Sequence, residues 1–169
     1  MRLGIISTAA LLAAAVLAGT ATRPANGETA GAAMQRGCQN RAALIAASQK
    51  AEAADAVEDH DRYELHRAAA REYYRCAQTI ANPVYRDMAR LGYVAEMLQT
   101  LDYDGMTTVA QLKDSIDSVR RWESTVNDVA ATTHSPVLKK KALEIRGTLT
   151  KLVRYADTEI AKFEASPSP

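Results

Sequence analysis

Cys38 and Cys76 are the only two cysteines in the chain, and such a pair admits three chemistries: a disulfide, a redox dithiol or a share in a metal site. No Cys-x-x-Cys redox motif is present, and no histidine or further cysteine stands near either residue at ligand spacing. A structural disulfide is the reading that remains. The midpoint of the pair falls at Val57, within the polar stretch Asp55-Ala-Val-Glu-Asp-His-Asp61. Two antiparallel helices turning there bring the sulfurs level.

The histidines are His60, His66 and His134. His60 and Glu64 are four apart and share a helix face if the second helix begins early enough. With His66 they form the one metal-ligating set the sequence offers. Glu-x-x-His, His-Glu-x-x-His and Cys-x-x-Cys-His are all absent, which argues against di-iron carboxylate, zinc-peptidase and c-type haem sites. His60 therefore reads as a polar turn residue, His66 as the edge of an apolar stripe, and His134 as the residue before a helix cap. No cofactor is expected.

Arg67, Arg71 and Arg75 form an i, i+4, i+8 row, and Arg86 and Arg90 follow on the next helix. Such a row suits an anionic group or the acidic face of a partner, although Glu64 and Glu72 are placed to neutralise part of it. Tyr73, Tyr74, Tyr85, Tyr93 and Tyr103 cluster in the same region. They either fill gaps among alanines or line a groove for a peptide or small ligand. Of these, Arg67, Arg71, Tyr74, Arg75, Tyr85, Arg90 and Tyr93 are the candidate partner-binding residues. No serine sits in a recognisable nucleophile elbow and there is no glycine-rich phosphate loop, so no catalytic residue is assigned.

The compartment follows from the N-terminus. Met1-Arg2 is a short positive region, and Leu3 to Ala18 is an uncharged apolar run followed by Gly19-Thr20-Ala21. This is the pattern of an export signal, with cleavage expected after Ala21 and Ala18 as the second choice. A spanning helix needs about 20 apolar residues, and no later segment is apolar enough for one. Residues 1–21 are thus expected to be a signal peptide, 22–29 a flexible leader, 30–164 a single helical domain and 165–169 a disordered tail. Export to a periplasm or outside the cell fits a disulfide. Losing Arg2 from the 21 Lys and Arg balances the 20 Asp and Glu, so nothing points to nucleic acid or to an anionic membrane as a partner.

With 8 Gly and 5 Pro in 169 residues and abundant Ala, Leu, Arg and Glu, the composition favours helix. Five helices are expected. The first runs from about Ala30 to Ala54, with Met34, Cys38, Ala42 and Ile45 as its inner stripe. The second starts at Asp55, Asp59 or Asp61, three competing caps. It buries Leu65, Ala69, Tyr73, Cys76 and Ile80. The third starts at Asn82-Pro83, an N-cap followed by an N1 proline. It buries Met88, Leu91, Ala95, Leu98 and Leu101, is held close to a neighbour at Gly92, and stops at Asp104-Gly105. The fourth starts at Thr107 or Thr108, where Gln111 completes a capping-box spacing. Its seam is Val109, Leu112, Ile116, Val119, Val126 and Val129, with Trp122 at the edge. The fifth starts at Ser135-Pro136 and carries its stripe from Leu138 through Ala156 and Ile160 to Phe163.

Short connections between long helices demand antiparallel neighbours. The expected fold is all-α: antiparallel helical hairpins closed by one disulfide, in an up-and-down bundle or a short repeat stack. Ala70, Tyr74, Ala77, Met88, Leu91, Gly92 and Ala95 fall at spacings similar to those of a tetratricopeptide repeat, from its second helix into the first helix of the next. Asn82-Pro83 resembles the turn between such repeats, with the proline one place late. The likeness spans residues 70–95 and does not recur along the chain. It implies peptide or protein binding on a concave face. The functional expectation is an exported, non-enzymatic interaction module; the alternative is a ligand- or metal-carrying bundle in the periplasm, and an enzyme with a scattered site ranks last.

Overall fold

The structure, a computed structural model, describes residues 30–57 and 61–165. The export signal, the leader, His60 and the tail beyond Ala165 lie outside the described residues. Six α-helices follow in order: α1 Ala30–Gly37, α2 Arg41–Ala56, α3 Arg62–Thr79, α4 Pro83–Leu98, α5 Val109–Thr132 and α6 Pro136–Ala165, with one 3-10 turn at Tyr103–Gly105. There is no strand among the described residues. The all-α expectation holds, with one helix more.

The extra helix comes from a break in the expected Ala30–Ala54 segment. Gly37, Cys38 and Asn40 are weak helix formers at this point, and tertiary contacts fix the break there. Cys38 is bonded to Cys76 with their Cα atoms 4.9 Å apart. Asn40 Nδ2 donates to both the backbone carbonyl and the side-chain carboxylate of Glu72, each at 2.8 Å. Asn40 is the N-cap residue of α2, yet its side chain makes no capping bond, because it is held across the hairpin instead. The break shifts the phase of α2: Leu44 is fully buried, Ile45 is only half-buried and Ala42 is exposed, contrary to the expected stripe.

Of the three competing caps, Asp61 stands at the start of α3, again without a side-chain capping bond. Asp55 lies inside the last turn of α2, not ahead of a helix. The starts of α4 and α5 follow the sequence. Asn82 Oδ1 accepts from the backbone N–H groups of Val84 and Tyr85 at 3.0 and 3.2 Å, with Pro83 in the first turn. Thr108 and Gln111 form a reciprocal capping box. α4 ends earlier than expected, at Leu98, and Asp102 closes the following turn by accepting from the Gly105 N–H at 3.2 Å.

Residue pairs fix the directions. His66 meets Glu96 while Tyr73 lies against Gly92, so α3 and α4 are antiparallel. Arg90 reaching Asp128 sets α5 against α4, and Leu112 and Ile116 packing with Ala156 set α6 against α5. The main core joins Leu44, Tyr73, Leu91 and Val94 to Val119, Val126, Ile145 and Leu149. Trp122, expected at an edge, is buried in it. A smaller cluster of Leu112, Ile116 and Ala156 closes the far end of the α5–α6 pair. There the α6 stripe runs out: Ile160 is half-buried and Phe163 is exposed.

Gly92 shows why α3 and α4 approach so closely. A Cβ built there would stand 2.6 Å from Tyr73 Cδ1 and Cε1, well inside van der Waals contact, and Tyr73 is fully buried. Only a glycine lets the ring lie flat on the α4 backbone.

A candidate partner-binding groove and a buried carboxylate–histidine–carboxylate cluster

Successive residues Tyr73 and Tyr74 point to opposite fates on α3. Tyr73 enters the core, and Tyr74 is 54% exposed. Tyr74 meets Tyr93 of α4, their ring centroids 5.8 Å apart and tilted by 57°. These rings line an open groove of about 440 Å³, bounded also by Gln78, Arg86, Arg90 and Thr125. Arg90 forms an ion pair at 2.6 Å with Asp128 of α5 and faces Asp87 at 3.7 Å. Its charge is therefore largely matched, and it braces the groove floor to α5. Arg86 is exposed and has no ion pair among the described residues. Aromatic faces beside an exposed guanidinium suit a side chain with an apolar body next to a carboxylate.

The other candidate residues are dispersed. Arg67 pairs with Glu64 on the exposed face of α3, and Arg75 pairs with Glu72 at 2.7 Å. Arg71 is exposed, and Tyr85 packs half-buried against the main core. Tyr103 sits edge-on to Tyr155, with centroids 5.4 Å apart, away from the groove. Burial raises the pKa of Tyr103 above its ordinary value. Of the seven candidates, the structure brings Tyr74, Arg90 and Tyr93 together; the arginine row is a solvated face on which Arg67 and Arg75 are ion-paired.

A second arrangement was not anticipated. His66 is buried, with Nδ1 2.7 Å from Glu96 Oε2 of α4 and Nε2 3.0 Å from Asp55 Oδ1 of α2. Glu96 is buried as well, and the Asp55 side chain is 35% exposed. Burial pushes the His66 pKa down, but the hydrogen bonds its ring donates to Glu96 and Asp55 and their negative charge push it up further, and the net shift is upward. The Tyr73 hydroxyl nearby is held well above the ordinary phenol range, first by burial and then by the charge of Glu96. The only sequence signal for this cluster was a histidine next to an apolar stripe; Asp55 read as one of three competing caps, and nothing singled out Glu96.

His66 and Glu64, grouped as metal ligands in the sequence, are not brought together: one is enclosed by two carboxylates and the other is exposed beside Arg67. Among the described residues no group of three His, Cys, Asp or Glu side chains is arranged to hold a metal ion. No helix among them is long and apolar enough to cross a membrane. No protein-family description, curated protein or solved structure matches the chain.

Proposed function

We propose that the chain is an exported, non-enzymatic helical module that binds a protein or peptide in the groove between α3 and α4. The observation that carries this reading is the Tyr74–Tyr93 pair, open to solvent beside Arg86 and braced from below by Arg90. Solvent-exposed aromatics are over-represented where proteins meet, because they offer large rigid contact area at low entropic cost. Tyr74 is 54% exposed and lies outside the main core cluster, so core packing does not account for a large aromatic at this position. The tetratricopeptide-like spacing of residues 70–95 supports the same reading, and the signal-like N-terminus together with the Cys38–Cys76 bond supports export.

The test places a photo-crosslinking amino acid at Tyr74, and separately at Lys151 on the exposed outer face of α6, in the full chain expressed in an exporting host. A discrete adduct from position 74, absent from position 151 and weakened by Arg86→Glu, is the expected result. No adduct, or the same adducts from both positions, would overturn the groove. Tyr74→Ala should change stability by no more than about 0.5 kcal/mol, as for an exposed side chain away from the core, so lost crosslinking would not be lost folding. Intact mass of the exported protein tests the compartment: a chain starting at Thr22 with the disulfide formed is expected.

A further inference from the structure

Both ring nitrogens of His66 face carboxylate oxygens, at 2.7 Å and 3.0 Å. An ionised carboxylate only accepts hydrogen bonds, and a neutral imidazole carries a single N–H. Both contacts are satisfied together when the ring is an imidazolium. The charged groups facing it are Asp55 from α2 and Glu96 from α4. Tyr73, further along α3, lies within the field of Glu96 and of Glu52 on α2.

The two carboxylates differ in what they do if the ring loses a proton. The Glu96 side chain is 7% exposed and has no water to turn to, whereas the Asp55 side chain is 35% exposed. Leaving a buried carboxylate without a donor is the more expensive outcome, so the remaining N–H stays with Glu96. Asp55 then faces a lone pair on Nε2 and turns to solvent.

Among the described residues, little apolar packing holds α2 at that end. The buried residues of the whole helix are Leu44, Ala51 and Ala54, and the last two turns contribute only alanines. The opposite end is held by the Cys38–Cys76 bond and by Asn40 on Glu72.

We propose that His66 is a pH-operated latch on the tip of the α2–α3 hairpin: as a cation it ties the last turns of α2 to α4, and its deprotonation frees them while the disulfide keeps the other end in place. The same end of the bundle forms a second open groove of about 680 Å³, where Asp61, Tyr63 and Arg67 face Met97, Asp102 and Met106.

Site-resolved amide hydrogen exchange of the full, disulfide-bonded chain between pH 6.0 and 8.5, corrected for intrinsic exchange chemistry, tests the latch. Protection of the amides of Ala51–Ala56 should fall about tenfold across this range, as for the loss of one charge-assisted hydrogen bond. The amides of α5 and those around Cys76 should not change. In Asp55→Asn the amide can accept from an imidazolium or donate to a neutral ring, so the tie survives at both pH values and the response should be flat. His66→Gln should be flat and weakly protected throughout; if that variant does not fold, Asp55→Asn still decides. Equal protection at both pH values in the natural chain, a loss spread evenly over all helices, or an Asp55→Asn response like that of the natural chain would each overturn the proposal.

Discussion

Replacing Gly92 and Gly147 by alanine, one at a time, sets the same chemical change against two opposite environments. Both glycines lie inside helices, α4 and α6. In an exposed helix interior the exchange gains about 1 kcal/mol from reduced backbone entropy in the unfolded chain and from better helix propensity. At Gly147 nothing lies within 4 Å of the new Cβ, so the full gain should appear. At Gly92 the Cβ would stand 2.6 Å from two ring carbons of Tyr73 and 3.1 Å from Cγ. That ring cannot swing aside, because it is enclosed between the helices and fully buried. Forcing a methyl group into such a core costs about 1–3 kcal/mol, and a contact this short belongs at the upper end. After the propensity gain, Gly92→Ala should destabilise by about 1–2 kcal/mol, and the two variants should differ by about 2–3 kcal/mol. Urea unfolding followed by circular dichroism at unchanged slope measures this directly; with slopes of about 1–3 kcal/mol/M, the midpoints should move in opposite directions. Tyr73→Leu should partly rescue Gly92→Ala, a coupling that a double-mutant cycle reads out. If Gly92→Ala proves as stabilising as Gly147→Ala, the close α3–α4 approach described here is wrong.

Reduction, or replacement of Cys38 and Cys76 by serine, should cost about 4 kcal/mol in the chain-entropy account of a closed loop with a 38-residue separation, read as a lower urea midpoint with helix content retained in water. Thr108→Ala should cost about 1 kcal/mol by removing half of a capping box, whereas Thr150→Ala on the exposed face of α6 should be close to neutral in the same assay. Stability should also depend on pH through His66: its folded pKa lies above the ordinary 6.5, so the contribution is complete below about pH 6.5 and is lost as pH rises through the folded value. Thermal melts between pH 6 and 9 should show this decline, and Asp55→Asn should lessen it without abolishing it, because Glu96 still faces the ring.

The legible parts of the fold were those set by local rules. Asn82-Pro83, the Thr108–Gln111 box and the 3- and 4-residue apolar steps of α3 to α6 all act within a few residues, so the sequence displays them directly. The break between α1 and α2 was missed although Gly37 and Asn40 are weak helix formers, because what fixes it is remote: a disulfide to Cys76 and the Asn40 contacts with Glu72. The earlier end of α4 was hidden for another reason: Gln99 and Thr100 continue the composition of the helix. Tyr74 and Tyr93 were legible as candidates and Tyr73 as part of a buried stripe, but nothing in the sequence separates the first two from Tyr85, which packs half-buried against the core. The Asp55–His66–Glu96 cluster draws one residue from each of three helices, and no periodicity or motif links them.

The Cys38–Cys76 bond also changes how the chain carries load. A pull between its two ends, as from a machine that threads polypeptide or a protease that draws in substrate from one terminus, passes from residue 38 straight to residue 76. The intervening segment, which holds α2 and most of α3, bears none of it, and about 130 Å of contour stays hidden for a 38-residue separation at up to about 3.6 Å per residue. A threading machine arriving from either side meets the bridge as a fork, where one strand becomes two. Any aperture sized for a single extended chain would stop there until the bond is reduced, leaving the hairpin that carries His66 and Tyr74 as the part of the protein most resistant to processive extraction.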